Sequence, residues 1–435
     1  MTAPSRKLGV WMATALVIGN ILAAGILMLP GSLAPYGWNA VAGWLITMFG
    51  ALCLAWVFAE LARRLPDAGG ANGFMRLGLG EGAAFLGSWG YLVSCWPTIA
   101  AIAITGVSYL TRLVPAVDTF PGGATAIALA LISLLTWVNL RGLRTGGSVQ
   151  LVTTIVKLLP FAAAIGLAFW RLFSTGGRVL APITPGAFTF AGATSVASLT
   201  LYAMLGVECA TVPSDAVENA ERNVPRATII GTVVSAVASI IATCAVVLML
   251  PVDQVVKSNA PIADFIAVSW GNVAGGFVAL CAVVSCFGAV NGWILISGQM
   301  AAVMADAGTL PPWFGKRNAN GIPAQSVVLS GVIGASLTLL AATKAGVAAF
   351  NFVALLATAT NLVMYLLCSI VAFKFMSNGR LPRTAGLTVA SVGAGLFSVW
   401  AFYGSGWEAI AWGAALTAAG WPIYRLTRRR LQTQA

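Results

Sequence analysis

The chain has 435 residues, of which 59% are hydrophobic and 8% charged, and its mean hydropathy is +0.90. That balance leaves too little polar surface for a soluble protein of this size, and apolar runs repeatedly exceed the about 18 residues that cross a bilayer, so the chain reads as a polytopic membrane protein. The net charge of +12 fits loops lying beside anionic lipid and is no sign of a nucleic-acid partner.

Apolar runs set against charged or Pro/Gly-rich connections predict twelve spans, at 10–35, 40–62, 82–111, 124–140, 148–170, 187–213, 227–250, 270–304, 323–342, 346–372, 385–403 and 407–424. The run after Lys7 continues well past a signal-peptide core with no small-residue cleavage site, so the first span is expected to stay in the protein. With the amino terminus inside, 18 of the 24 Lys/Arg fall on the cytoplasmic side, five fall outside, and Lys157 lies within a span. This asymmetry predicts an inner-membrane orientation with both ends cytoplasmic.

Spans one and six are broken. Gly19 to Gly25 puts two glycines and Asn20 at bilayer depth, and Tyr202 to Glu208 puts Gly206 beside a carboxylate. Backbone without a partner in hydrocarbon costs several kcal/mol per group, so such stretches persist only where protein or a water-filled cavity satisfies them. Four spans separate the two breaks, so a five-helix unit that starts at the first recurs, inverted, at the second. The expected fold is an all-α integral membrane protein, a five-plus-five inverted repeat with two extra helices. One transporter domain is expected, with its first repeat at about 10–172, its second at 187–375 and accessory helices at 385–425.

Where span one unwinds, the amides of Ala23, Ala24 and Gly25 lose their internal partners and point, with the half-helix dipole, at whatever anion lies there. Carbonyls freed at Ile21, Tyr202 and Leu205 can accept from an ammonium group. The alternative is that these small residues only let helices pack closely. Glu208 lies near mid-span, where an idle charge costs at least ~2.5–3.5 kcal/mol. It can carry a proton through the cycle or pair with a cationic substrate, or it can cap the broken helix by accepting backbone amides. Lys157, in Thr153 to Phe161, is the second intramembrane charge, functional or snorkelling to the cytoplasmic face.

Histidine is absent, which removes the commonest metal ligand and the usual general base. The seven cysteines form no CxxC pair and read as small apolar packing residues. No phosphate-cradling loop is present, and Gly69-Gly70 reads as loop punctuation. Neither cofactor nor metal is expected, and neither enzyme nor ATP-driven pump. A channel is disfavoured, since broken helices stand in place of a repeated ring of carbonyls or charges. The partners implied are a small-molecule substrate, protons and the bilayer. Asp215, Glu218, Glu221, Arg222 and Arg226 follow span six, as a solvated ion-pair network or as a latch on a moving helix.

The stretches Gly19 to Pro30, Ser94 to Trp96, Gly206 to Thr232, Gly292 to Gln299 and Asp306 to Phe314 together resemble the amino acid–polyamine–organocation superfamily, and within it the arginine/agmatine, lysine/cadaverine and ornithine/putrescine exchangers. The resemblance implies exchange by alternating access and frequent dimers. It implies that the span-one and span-six positions hold the amino acid end of the substrate and that Trp293 stacks on its side chain. Tyr91, Tyr202 and Tyr365 match gating aromatics, and Glu208 matches a Glu tied to acid dependence. Cys95 keeps its place, whereas Ile99, Ala357 and Ala24 replace an amide, a hydroxyl and a serine of the arginine exchanger. Lys157 matches permeases whose lysine amine occupies the place of a sodium ion. The less polar pocket suits lysine, ornithine or a diamine, and a proton-coupled neutral amino acid permease is the alternative.

Overall fold

The computed structural model describes residues 9–22, 24–68, 70–141, 147–184, 186–208, 217–344 and 347–434. The first span is broken as expected: α1 (Val10–Ile21) is followed by a tight 3-10 turn, Ala24–Leu27, and by α2 (Leu29–Leu33). Then come α3 (Asn39–Arg64), a short α4 (Ala71–Leu79), α5 (Glu81–Leu113), α6 (Gly123–Leu140) and α7 (Gly147–Ser174). The second half has α8 (Phe190–Ala203), α9 (Ala220–Met249), a short α10 (Val252–Lys257), α11 (Pro261–Asp306), α12 (Ala324–Ala341) and α13 (Val347–Ser377). Helices α14 (Ala385–Gly404) and α15 (Gly406–Gln434) close the chain.

Helix is the form a span must take, because only it satisfies the backbone within its own segment. Hydroxyls inside the spans are absorbed the same way: Thr105, Thr232 and Thr358 each donate to a carbonyl four residues back, at 2.7–2.9 Å. Among the described residues nine helices are long and apolar enough to cross a membrane by length and composition. Two shorter apolar helices, Val10–Gly19 and Phe190–Ala203, are the leading arms of the interrupted spans. The twelfth expected span falls in α15, which is not among the nine. Helix α11 is two helices joined at a kink at Gly271 (φ 84°, ψ 167°), a conformation that favours glycine, and the eighth expected span corresponds to the part after the kink.

Packing follows a two-fold pattern. If α1, α3, α5, α6 and α7 are matched in order to α8, α9, α11, α12 and α13, then three matched pairs touch each other: α3 with α9, α5 with α11, α6 with α12. Cross contacts come in mirrored couples as well. The pair α1–α9 has its counterpart in α8–α3, α5–α13 in α11–α7, α6–α11 in α12–α5, and α7–α9 in α13–α3. The short helices α4 and α10 hold the same place in chain order in the two halves, but α4 packs on α5 and α13 and α10 on α2 and α9. An inverted repeat produces the mirrored contacts, and it brings the two breaks into the middle of the bundle. Close approaches tighten the seams: a side-chain carbon on Gly50 of α3 would run into the Phe397 ring of α14, and one on Gly231 of α9 would lie 2.6 Å from Val17 of α1.

Candidate functional site

The regular backbone of span one ends when the Leu22 amide donates to the Ile18 carbonyl at 2.8 Å. Two carbonyls released by the break find side chains from other helices. Lys157 of α7 donates its Nζ to the Gly19 carbonyl at 2.6 Å, and the Tyr109 hydroxyl of α5 donates to the Leu27 carbonyl at 3.0 Å. Ile21 and Leu22 are buried. Ala24 and Gly25 form the start of the 3-10 turn, and Ala23 lies outside the described residues.

Span six loses its helix after Ala203. The Met204 amide turns back to the Leu201 carbonyl at 2.9 Å and the Leu205 amide to the Tyr202 carbonyl at 3.3 Å. The Tyr202 carbonyl, expected to be open to a ligand, thus already accepts one bond and keeps its second lone pair. Gly206 follows at φ 108°, where a side chain would be strained. Glu208 comes next, 2% exposed and, among the described residues, the sole charged side chain in the buried class. Its Oε2 accepts the Tyr365 hydroxyl of α13 at 2.7 Å, and the amides of Gly206 and Glu208 itself also turn toward the carboxylate. Tyr365 is set in place edge-on to Phe58 of α3, ring centroids 5.8 Å apart.

The other side chains expected at the site lie on α5, α8, α11 and α13. Tyr202 packs edge-on against Phe350 of α13, centroids 5.8 Å apart at 80°, and its hydroxyl lies near Thr98 of α5. Trp293 lies on α11, 8% exposed. The Tyr91 carbonyl accepts the Ser94 hydroxyl at 2.7 Å and the Cys95 thiol at 3.3 Å. Ile99 turns against α12, where a side-chain carbon on Gly334 would lie 2.9 Å from its Cγ2. Ala357 is fully buried on α13, and the neighbouring Thr358 and Thr360 hydroxyls donate to Ala354 and Leu356, both at 2.9 Å.

The six described cysteines are buried and free, and Cys209 lies outside the described residues. The expected ion-pair network after span six is absent among the described residues: no ion pair joins Glu218, Glu221, Arg222 or Arg226, and Asp215 lies outside them. Ion pairing concentrates elsewhere, as at Arg112–Asp264, 2.7 Å. Sequence reasoning missed Thr98, Tyr109 and Phe350. Each has an ordinary place in an apolar run, and only the partner across the bundle gives it meaning.

A family model described as amino acid permease matches residues 8–418. The putrescine transporter PotE of Escherichia coli K12 is 30% identical over 435 residues, covering 99% of this chain and 98% of the relative. PotE of Haemophilus influenzae is 30% identical over 98% of both chains. The cadaverine/lysine antiporter of E. coli K12 is 33% identical over 344 residues, 77% of this chain and 75% of the relative. The crystal structure of MhsT in complex with L-phenylalanine superimposes with a TM-score of 0.61 over 91% of this chain and 98% of that one, at 14% identity, a likeness of fold. A match across nearly the whole chain and a bundle broken at spans one and six place the chain in the amino acid permease family of the amino acid–polyamine–organocation superfamily.

Proposed function

We propose that this chain is an inner-membrane antiporter that exchanges a basic amino acid of the arginine, lysine or ornithine class for a related amine or polyamine by alternating access. The observation that carries this reading is Glu208: a carboxylate 2% exposed at the break of span six. Such a charge is costly to hold in the membrane unless a cation comes to it. The names of the relatives, a putrescine transporter and a cadaverine/lysine antiporter, agree with a cationic cargo, and they do not favour the neutral amino acid alternative.

In this mechanism the substrate carboxylate lies at the amides of Ala23, Ala24 and Gly25, and its α-ammonium group at the carbonyls of Ile21, Tyr202 and Leu205. Trp293 presents an indole face to the cationic side chain, an attraction of about 0.5–2 kcal/mol. Cys95 and Ala357 border the methylene stem, with Ile99 behind them toward α12, and the low polarity of all three selects against a guanidinium that needs several acceptors. Tyr91, Tyr202 and Tyr365 close the path. Glu208 alternates between its bond to Tyr365 and the cargo or a proton. Lys157 is a fixed cation that ties α7 to span one through the Gly19 carbonyl. Both termini lie in the cytoplasm, on the side of the Lys/Arg excess.

Competition binding to the purified full chain tests the substrate class. Labelled lysine is expected to be displaced by ornithine, 1,4-diaminobutane and 1,5-diaminopentane and left in place by alanine. Displacement by alanine and other neutral amino acids alone would contradict the proposal.

A further inference from the structure

Away from both breaks, a groove of about 440 Å³ runs along the outer side of the seam between α6 and α12. Its floor closes where the two helices meet: a side-chain carbon on Gly331 of α12 would run into Thr136 of α6. Its walls are apolar and exposed, with Trp137 of α6 49% and Val332 and Leu339 of α12 57% and 58% exposed. The hydroxyls in the groove belong to Ser133, Thr136 and Ser336, and each donates to the carbonyl four residues back in its own helix, at 2.7–2.9 Å. With those protons spent, the groove presents a surface for a carbon chain.

Its length matches one leaflet. The groove extends from Leu129 to Leu140 on α6 and from Val328 to Leu339 on α12, a rise of about 16 Å in each at ~1.5 Å per residue. Half of the hydrocarbon core is about 15 Å. The Leu140 end is basic. Arg141 follows directly, its guanidinium carbon 3.9 Å from the Trp137 ring centroid, and a guanidinium held by its face keeps its N–H edge for a phosphate. Asn318 and Asn320 donate to the Leu140 carbonyl at 2.8 and 3.4 Å, which fastens the connection between α11 and α12, with Lys316 and Arg317, to the same end. Arg317 pairs with Asp306 at 3.5 Å, whereas Arg141 and Lys316 join no ion pair among the described residues. Two positive charges thus stand at one end of an apolar groove, on the side where the Lys/Arg excess predicts the cytoplasm.

We propose that the groove between α6 and α12 binds one anionic phospholipid, with its phosphate at Arg141 and Lys316 and an acyl chain along the groove from Leu140 to Leu129. A free anion gains nothing from the apolar walls, and a zwitterionic lipid brings a further cation to two already present. A second copy related by a two-fold axis along the membrane normal would set the same cations level with these, like charge beside like. Because α6 and α12 are matched helices of opposite repeats, the lipid bridges the two halves of the bundle. The inference rests on this groove alone and not on the cargo of the central site.

Native mass spectrometry of the full-length protein tests it, after removal of lipid in detergent and addition of dioleoylphosphatidylglycerol and dioleoylphosphatidylethanolamine in equal amounts. The first lipid retained is expected to be the phosphatidylglycerol. That preference should fall about fivefold in Arg141→Gln, which removes one basic residue at the headgroup, and persist in Arg141→Lys. Ala335→Phe fills the groove, leaves every charge in place, and should lower retention of phosphatidylglycerol; Leu134→Phe, exposed on α6 outside the groove, should not. Equal retention of the two lipids, a preference unchanged in Arg141→Gln, or displacement of the lipid by an equal concentration of glycerol 3-phosphate would overturn the proposal. So would a dimer that dissociates in Ala335→Phe while lipid retention stays intact, since the groove would then belong to a second copy.

Discussion

A carboxylate at bilayer depth is costly in water-free surroundings, and Glu208 is kept there by a phenol from another helix 2.7 Å away and by backbone amides of its own break. Replacing it with glutamine keeps the acceptor for Tyr365 and removes the charge. Glu208→Gln should therefore leave the thermal midpoint unchanged or higher, since a buried charge rarely contributes to stability. Exchange of cationic substrate should fall by roughly tenfold or more, the cost of about 1.4 kcal/mol of lost charge interaction; unaltered exchange would remove Glu208 from the mechanism. Lys157 differs in kind, because its bond goes to a carbonyl that the helix itself has released. Lys157→Met fills the volume without donating, leaves the Gly19 carbonyl unsatisfied, and should cost about 1–3 kcal/mol of stability, read as a lowered melting temperature in detergent.

Elements meet in this protein by close approach of small residues, and the seams at Gly50 and Gly231 have no room for a methyl group. Gly231→Ala should push Val17 of α1 away from α9 and destabilise the fold by about 1–3 kcal/mol through overpacking; a melting temperature equal to that of the parent would show that the seam yields. The two breaks were legible in the sequence because Gly, Asn and a lone Glu are conspicuous in an apolar run. Helices α4 and α10 were not: nine and six residues long, they fall in connections where periodicity has too little length to register. Nor could spacing find Tyr109, which joins the Leu27 carbonyl at 3.0 Å to the Ile262 amide at 3.3 Å. Its role depends on two segments far away in the chain. That Ile99 and Ala357 would be buried was legible in their apolar runs; their direction was not, as Ile99 turned toward α12 illustrates.

Across the whole molecule, the contacts mirrored between the two five-helix sets are those an inverted repeat makes, and alternating access requires two near-equivalent packings of such a bundle. The excess of Lys/Arg on one side predicts a direction across the membrane. A cysteine introduced at Ser377, beside the connection between α13 and α14, should react with an impermeant maleimide in inside-out vesicles and stay unlabelled in intact cells; the reverse would invert the topology. Coupled exchange of cationic substrates is the activity proposed for this transporter. The most direct measurement is uptake of labelled lysine into proteoliposomes preloaded with lysine, ornithine, 1,4-diaminobutane, 1,5-diaminopentane, alanine or buffer alone. The account predicts uptake only where the interior holds a cationic amino acid or diamine. Uptake into empty vesicles equal to that into loaded ones, or uptake that only internal alanine supports, would contradict it.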